Sequence, residues 1–216
     1  MYFVIEGVIG VGKTTLARML QNSFDAHLAL EIFEENPFLS DFYSDRQRYA
    51  FQTQIFFLLS RYQQQRESIP AMKAEGKHII SDYTFDKDAL FASINIFGDE
   101  LETYKNLHAA LAEKIVRPDL IVYLRASTET LMQRIALRDR SYERNMEVAY
   151  IEELNQAYDD FFFTDSKTDC EILTIDSNQL DYVRNPDDLV WIENRIRQTL
   201  SLPPYQPELP IAGQND

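Results

Sequence analysis

The chain has 216 residues, enough for one domain with a small appendage. With 45% apolar and 26% charged residues it can bury a full core, which excludes an intrinsically disordered chain. A net charge of −14, from 35 acidic and 21 basic residues, argues against nucleic-acid polymers and anionic membranes as partners, although local arginines can still attract a small anion.

Tyr2 to Glu6 is a short β-rich run that stops at Gly7, as a buried strand does before a tight loop. Helical periodicity follows through Thr15, Leu16, Met19 and Leu20. His27 to Phe33 reads as a second strand, and Asn36-Pro37 punctuates its exit. The longest helical pattern runs from Arg48 to Ser68 and is expected to close at Pro70. Gly76 precedes a third strand, His78 to Ser81, followed by a helix through Leu90 and Phe91 and another from Asp99 to Val116. Pro118 introduces a fourth strand, Leu120 to Leu124. Ser127 is a good N-cap for a helix reaching about Arg138.

A polar, arginine-rich stretch, Asp139 to Asn145, separates that helix from one starting near Glu147. Glu171 to Ile175 is a fifth strand and Asp187 to Leu200 a final helix. The tail from Leu202 holds four prolines and reads as irregular. Strands alternating with helices predict a three-layer α/β domain over residues 1–200, with a five-stranded parallel sheet covered on both faces, followed by a proline-rich tail over 201–216. The single cysteine, Cys170, excludes an internal disulfide. The N-terminal sequence lacks the basic start of a signal peptide, and the longest apolar run, Ile55 to Leu59, is too short to span a bilayer, so a cytoplasmic protein is expected.

Gly7-Val8-Ile9-Gly10-Val11-Gly12-Lys13-Thr14 fits the phosphate-loop pattern G-x-x-x-x-G-K-[ST] and lies between a predicted strand and a predicted helix. Gly7, Gly10, Val11, Gly12, Thr14 and Thr15 supply backbone N–H groups and a helix N-terminus for the phosphates of ATP or GTP. Lys13 can reach the β- and γ-phosphates, and the Thr14 hydroxyl is the expected Mg²⁺ ligand. There is no Asn-Lys-x-Asp segment of the kind regulatory GTPases use to read guanine.

Three further patterns bear on the acceptor. Glu31 lies at the expected carboxyl end of the second strand, where a carboxylate can take a proton from an attacking hydroxyl; Glu34 and Glu35 are positional rivals, and a solvated acidic loop is the plain alternative. Gln54 and Arg61, seven residues apart on one helix, share a face with Leu58 and suit a nucleobase pocket, unless they merely reach water. Arg134, Arg138 and Arg140 end a helix and enter a polar loop, where they can fold over a transferring phosphate or simply complement the helix dipole.

Together these pieces resemble the deoxynucleoside kinase family over roughly Tyr2 to Leu200, through Ile5-Glu6-Gly7 before the phosphate loop, Tyr49-Ala50-Phe51 with Gln54 and Ser60-Arg61, and the lid pattern Arg-x-x-x-Arg-x-Arg-x-x-Glu. The resemblance implies a P-loop nucleoside triphosphate hydrolase-like fold with an arginine-rich lid over about 138–146, and transfer from ATP with Mg²⁺ to a deoxynucleoside in salvage. It makes Glu31 the general base for the 5′-hydroxyl, with Glu34 in reserve and Asp82 next. It places Tyr43 and Glu143 at the sugar 3′-hydroxyl, Gln54, Arg61 and Asp88 at the base edge, Arg134, Arg138 and Arg140 in the lid, and Asp181-Tyr182 at the donor adenine.

One departure stands out. The family carries Asp-Arg-Ser or Glu-Arg-Ser after the third strand, whereas this chain reads Asp82-Tyr83-Thr84, and Lys87 is the candidate replacement for the missing arginine. Asp-Tyr with a following lysine resembles the bacterial deoxyguanosine kinases, and Glu35 to Leu39 resembles the bacterial purine branch, so deoxyguanosine or deoxyadenosine is the expected substrate, while Gln54 fits kinases preferring deoxyadenosine or deoxycytidine equally well. The resemblance also implies a homodimer packed through 85–97 and 102–116. The rival readings are a nucleoside monophosphate kinase of thymidylate or adenylate type and a non-catalytic nucleotide-binding regulator.

Overall fold

The computed structural model describes residues 1–33, 35–144, 146–163 and 170–206. Five strands form one parallel sheet in the order β2-β3-β1-β4-β5. They are β1 (Tyr2–Glu6), β2 (Ala26–Ala29), β3 (His78–Ser81), β4 (Leu120–Arg125) and β5 (Glu171–Asp176). The central strand β1 is buried along its whole length, and Val4 pairs with Ser81 of β3 on one side and Ile121 of β4 on the other. A strand covered on both faces needs a continuous apolar run, which explains YFVIE and LIVYL in place of alternating patterns.

Among the described residues eight α-helices connect and cover the sheet: α1 (Lys13–Leu20), α2 (Leu39–Ser44), α3 (Arg46–Ala74), α4 (Lys87–Asn95), α5 (Gly98–Ala112), α6 (Thr128–Arg138), α7 (Val148–Phe163) and α8 (Pro186–Thr199). Helix α1 packs on β1 and β2 and α8 on β5, whereas α3 packs on β2 and β3 and is joined by α4 and α5. The three-layer α/β architecture expected from the alternation of elements is the one observed. None of the helices, among the described residues, is long and apolar enough to cross a membrane.

Three boundaries differ from expectation. β2 ends at Ala29, not Phe33, because its sole partner β3 is four residues long and Ala29 is already paired with Ser81. Glu31 therefore lies beyond the strand, in a loop free to turn into the crevice. Pro70 lies inside α3 instead of closing it, and the helix continues to Ala74. The proline itself is exposed, while Ile69 is fully buried and Met72 packs beside it against β1 and β3, so the turns flanking the missing N–H are held by packing. Finally, α5 ends at Ala112. Its Leu101, Leu107 and Leu111 pack on the core, and the large apolar side chain left exposed in the regions expected to pack a homodimer is Phe97, at 72%.

The proline-rich tail is described as far as Gln206. There the Tyr205 N–H donates to Asn194 at 2.9 Å and holds the segment against α8.

Candidate active site

The phosphate loop leaves the carboxyl end of β1. Gly7 and Gly12 have φ of 146° and 105°, outside the range comfortable for other residues, and a β-carbon on Gly7 would overlap the Leu124 carbonyl. Helix α1 starts at Lys13 with no side-chain cap and no acidic residue in its first turn, leaving its N–H groups and positive dipole end for an anion. The Lys13 ammonium donates to the Gly7 carbonyl at 2.7 Å and the Val8 carbonyl at 3.2 Å. Burial, followed by the nearby Lys87 ammonium, pushes Lys13 down to about 8 against the opposing pull of Glu6, Glu31 and Asp82.

The Thr14 hydroxyl donates to the Asp82 carboxylate, whose second oxygen accepts the Glu31 backbone N–H at 2.8 Å. Asp82 thus stands beside the loop threonine, on the phosphate side of the site. A hydroxyl and one carboxylate side by side fit Mg²⁺, which takes few protein ligands and completes its octahedron with phosphate oxygens and water. Among the described residues no cluster of three or more His, Cys, Asp or Glu could cage a metal by itself.

Next to this group opens a cavity of about 340 Å³. At its floor Glu31 pairs with the Arg61 guanidinium and with the Lys87 ammonium at 2.8 Å, and Arg61 also pairs with Asp88, which is fully buried. Burial raises the Glu31 pKa, but Arg61 and then Lys87 outweigh it and hold the carboxyl well below its usual range. Gln54 faces the cavity from α3 while only 2% exposed, and Arg61 lies over the Phe57 ring at 4.7 Å. Phe33, Phe57 and Phe91 supply flat apolar walls. The structure therefore brings together Glu31, Gln54, Arg61, Asp82 and Lys87, with Asp88 buried behind Arg61. Glu34 lies outside the described residues, and Glu35 is exposed.

Tyr43 and Glu143 close the far end. Tyr43 stacks on Tyr142 with ring centroids 6.0 Å apart, an aromatic contact that sequence reasoning missed; the one signal was a tyrosine inside an otherwise polar loop. Burial pushes the Tyr43 hydroxyl far above its ordinary value, so it is a neutral donor. Helix α6 ends at Asp139 in a left-handed conformation (φ 47°), and a single 3-10 turn, Ser141–Glu143, folds back over the cavity. Glu143, 4% exposed, accepts from Arg138 at 2.6 and 2.7 Å and lies 3.6 Å from Arg140, whose guanidinium covers Phe33 at 4.0 Å.

Arg134 is placed differently. Its guanidinium donates to the Val11 carbonyl at 3.2 Å and the Ser177 carbonyl at 2.7 Å, and so braces the phosphate loop against the loop after β5. There a second cavity of about 600 Å³, lined by Gly10, Arg134, Asp181 and Tyr182, adjoins the phosphate loop. Burial pushes Tyr182 up to about 12, and its hydroxyl donates to the Gly12 carbonyl at 3.1 Å.

A parallel sheet with a phosphate loop on its central strand and two cavities adjoining that loop define a P-loop kinase fold. The sequence model of the deoxynucleoside kinase family, "Deoxynucleoside kinase", matches residues 3–201. The chain is 34% identical over 201 residues to a deoxyguanosine kinase of Bacillus subtilis, covering 92% of this chain and 97% of that one. It is 37% identical over 165 residues to a deoxyadenosine kinase of Dictyostelium discoideum, covering 74% and 66%. The structure of a deoxyadenosine kinase from M. mycoides with bound dCTP superposes with a TM-score of 0.78 at 27% identity, covering 92% of this chain and 100% of that one. The chain belongs to the deoxynucleoside kinase family and is an enzyme of phosphoryl transfer.

Proposed function

We propose that this deoxynucleoside kinase transfers the γ-phosphoryl group of ATP to the 5′-hydroxyl of a purine deoxynucleoside, in deoxynucleotide salvage in the cytoplasm. The observation that carries the reading is Glu31, fixed between Arg61 and Lys87 at the meeting point of an aromatic cavity and the phosphate loop. The deoxyguanosine and deoxyadenosine kinases among its relatives support a purine.

In this reading the α1 N-terminus, Lys13 and the backbone of Gly10, Val11, Gly12, Thr14 and Thr15 hold the donor phosphates, while Asp181 and Tyr182 border the adenine. Thr14 and Asp82 would hold Mg²⁺, which would supply neutralisation of the phosphate charge. Gln54 meets the base edge with an amide that both donates and accepts, between the rings of Phe57 and Phe91. Tyr43 and Glu143 take the sugar 3′-hydroxyl. Glu31 orients the 5′-hydroxyl and accepts its proton. A loose transition state demands orientation more than a strong base, so a carboxylate that stays ionised across the working range suits the task. Lys87 supplies the cation that the family places at the Tyr83 position. Arg138 and Arg140 cap the departing phosphoryl group from the lid, and Arg134 steadies the loop beneath it.

At the floor of the acceptor cavity Arg61 and Lys87 are engaged by Glu31 and Asp88, which favours a neutral hydroxyl acceptor there over the phosphate of a nucleoside monophosphate. The test is an ATP-dependent assay across the four deoxynucleosides with deoxyguanosine monophosphate alongside. Turnover of deoxyguanosine or deoxyadenosine with an inert monophosphate is expected. Preference for the monophosphate, or for a pyrimidine, would overturn the reading.

A further inference from the structure

Glu6 has no part in the chemistry above, yet it is a carboxylic residue with 0% exposure at the carboxyl end of β1. A carboxylate at that depth is costly unless its oxygens are fully hydrogen-bonded. One oxygen accepts from the Gly7 N–H at 3.0 Å and from the Tyr158 hydroxyl at 3.3 Å. The other accepts from the Thr84 N–H at 2.6 Å and the Thr84 hydroxyl at 3.2 Å. All four bonds run toward Glu6, which matches the acceptor-only chemistry of a carboxylate.

The donors belong to three separate parts of the fold. Gly7 opens the phosphate loop, Thr84 follows β3 two residues after Asp82, and Tyr158 comes from α7. The Thr84 hydroxyl also accepts the Lys87 N–H at 3.2 Å, where α4 begins. One buried carboxylate therefore joins the mouth of the phosphate loop to the short segment carrying Asp82 at one end and Lys87 at the other. Packing alone does not call for it, since apolar replacements of buried ionic groups are often neutral or stabilising.

We propose that Glu6 is a positioning residue for phosphoryl transfer: it fixes the register between the phosphate loop and the Asp82-to-Lys87 segment. The inference rests on the kinase reading, because it assigns those two segments to donor and acceptor. Misplacing reacting groups by about 1 Å can cost about 100-fold in rate, so even a small slip between the segments falls on kcat.

The test compares Glu6→Gln, Thr84→Val and Thr84→Ser with the wild type in kcat, deoxynucleoside affinity by equilibrium binding, and thermal melting. Glutamine keeps the size of the side chain but sets an N–H₂ donor against donors already in place. Wild-type turnover tests the kinase reading by itself, and only the ratio of variant to wild type tests this one. Glu6→Gln is expected to melt cooperatively, with kcat reduced at least about tenfold and deoxynucleoside affinity changed less than about twofold, since Gln54 and Phe57 at the base lie on α3, outside the joined segments. Thr84→Val should fall in the same direction and Thr84→Ser should recover. If Glu6→Gln does not fold, the Thr84 pair decides. A folded Glu6→Gln or Thr84→Val with unchanged kcat and merely lower melting temperature would overturn the proposal, as would Thr84→Ser as slow as Thr84→Val.

Discussion

Replacing Glu31 with glutamine tests both halves of its environment at once. The side chain keeps its shape and one acceptor oxygen, but loses the charge that faces Arg61 and Lys87. Arg61 retains Asp88 as its counter-ion, whereas Lys87 has no other carboxylate partner in an ion pair among the described residues. Hydrogen bonds to charged groups contribute about 1.5–3 kcal/mol, and losing most of one such contact should destabilise the protein by about 1–3 kcal/mol. For a domain of this size that corresponds to roughly 2–12 °C in melting temperature.

The rate effect should be larger. Loss of general-base action typically costs about 10²–10⁴-fold, so kcat should fall within that range while deoxynucleoside affinity changes less than about tenfold. Because the folded-state pKa of Glu31 is depressed, its contribution to stability is full above the unfolded value near 4.5 and is lost as pH falls below it. The melting gap between wild type and Glu31→Gln should accordingly narrow as pH is lowered from about 5 toward 3. Steady-state kinetics, calorimetric binding and melting curves measured together give all three quantities. Glu35→Gln, altering an exposed neighbour, is the control. A Glu31→Gln enzyme with kcat within about threefold of wild type would refute the assignment and move attention to Asp82.

Lys13→Ala should abolish transfer and leave a folded protein, checked by turnover beside circular dichroism, because it removes a phosphate contact and only two carbonyl hydrogen bonds. Arg138→Ala and Arg140→Ala should each lower kcat far more than deoxynucleoside affinity; a change confined to the nucleoside KM would contradict the lid role. Gly12→Ala combines a φ of 105° with an overlap at the Tyr182 hydroxyl, so the KM for ATP should rise at least about fivefold in steady-state assays. The chain should sediment as a homodimer at micromolar concentration, and Phe97→Asp, at an exposed aromatic between α4 and α5, should shift it toward monomer.

The phosphate loop and its helix were legible in the sequence because they are local: strand, glycine turn and lysine lie within thirteen residues of one another. The residues lining the first cavity were legible one at a time, through the Gln54 and Arg61 spacing and the family resemblance. Their interlocking was not. Glu31, Arg61, Lys87 and Asp88 come from three separate segments, and nothing in their local patterns says that two cations would flank one carboxylate. Asp82 appeared a substrate residue by position, whereas its contact with Thr14 depends on the parallel placement of β1 and β3. Arg134 shares a helical face with Arg138, yet the loop after β5 passes close enough to engage it. Pro70 is a helix breaker by local rules, and tertiary packing of Ile69 and Met72 overrode them.

Tyr83, where the family pattern has arginine, is tied into its surroundings. Its ring is fully buried, its hydroxyl donates to Gln64 at 2.7 Å, and the Arg61 guanidinium lies 5.8 Å from its centre. Replacing it with arginine would force a second guanidinium beside Arg61 while Lys87 still occupied the cationic post near Glu31. Removing Lys87 first would leave Glu31 with a single counter-ion. Exchanging either residue alone should therefore cost activity that exchanging both together restores in part.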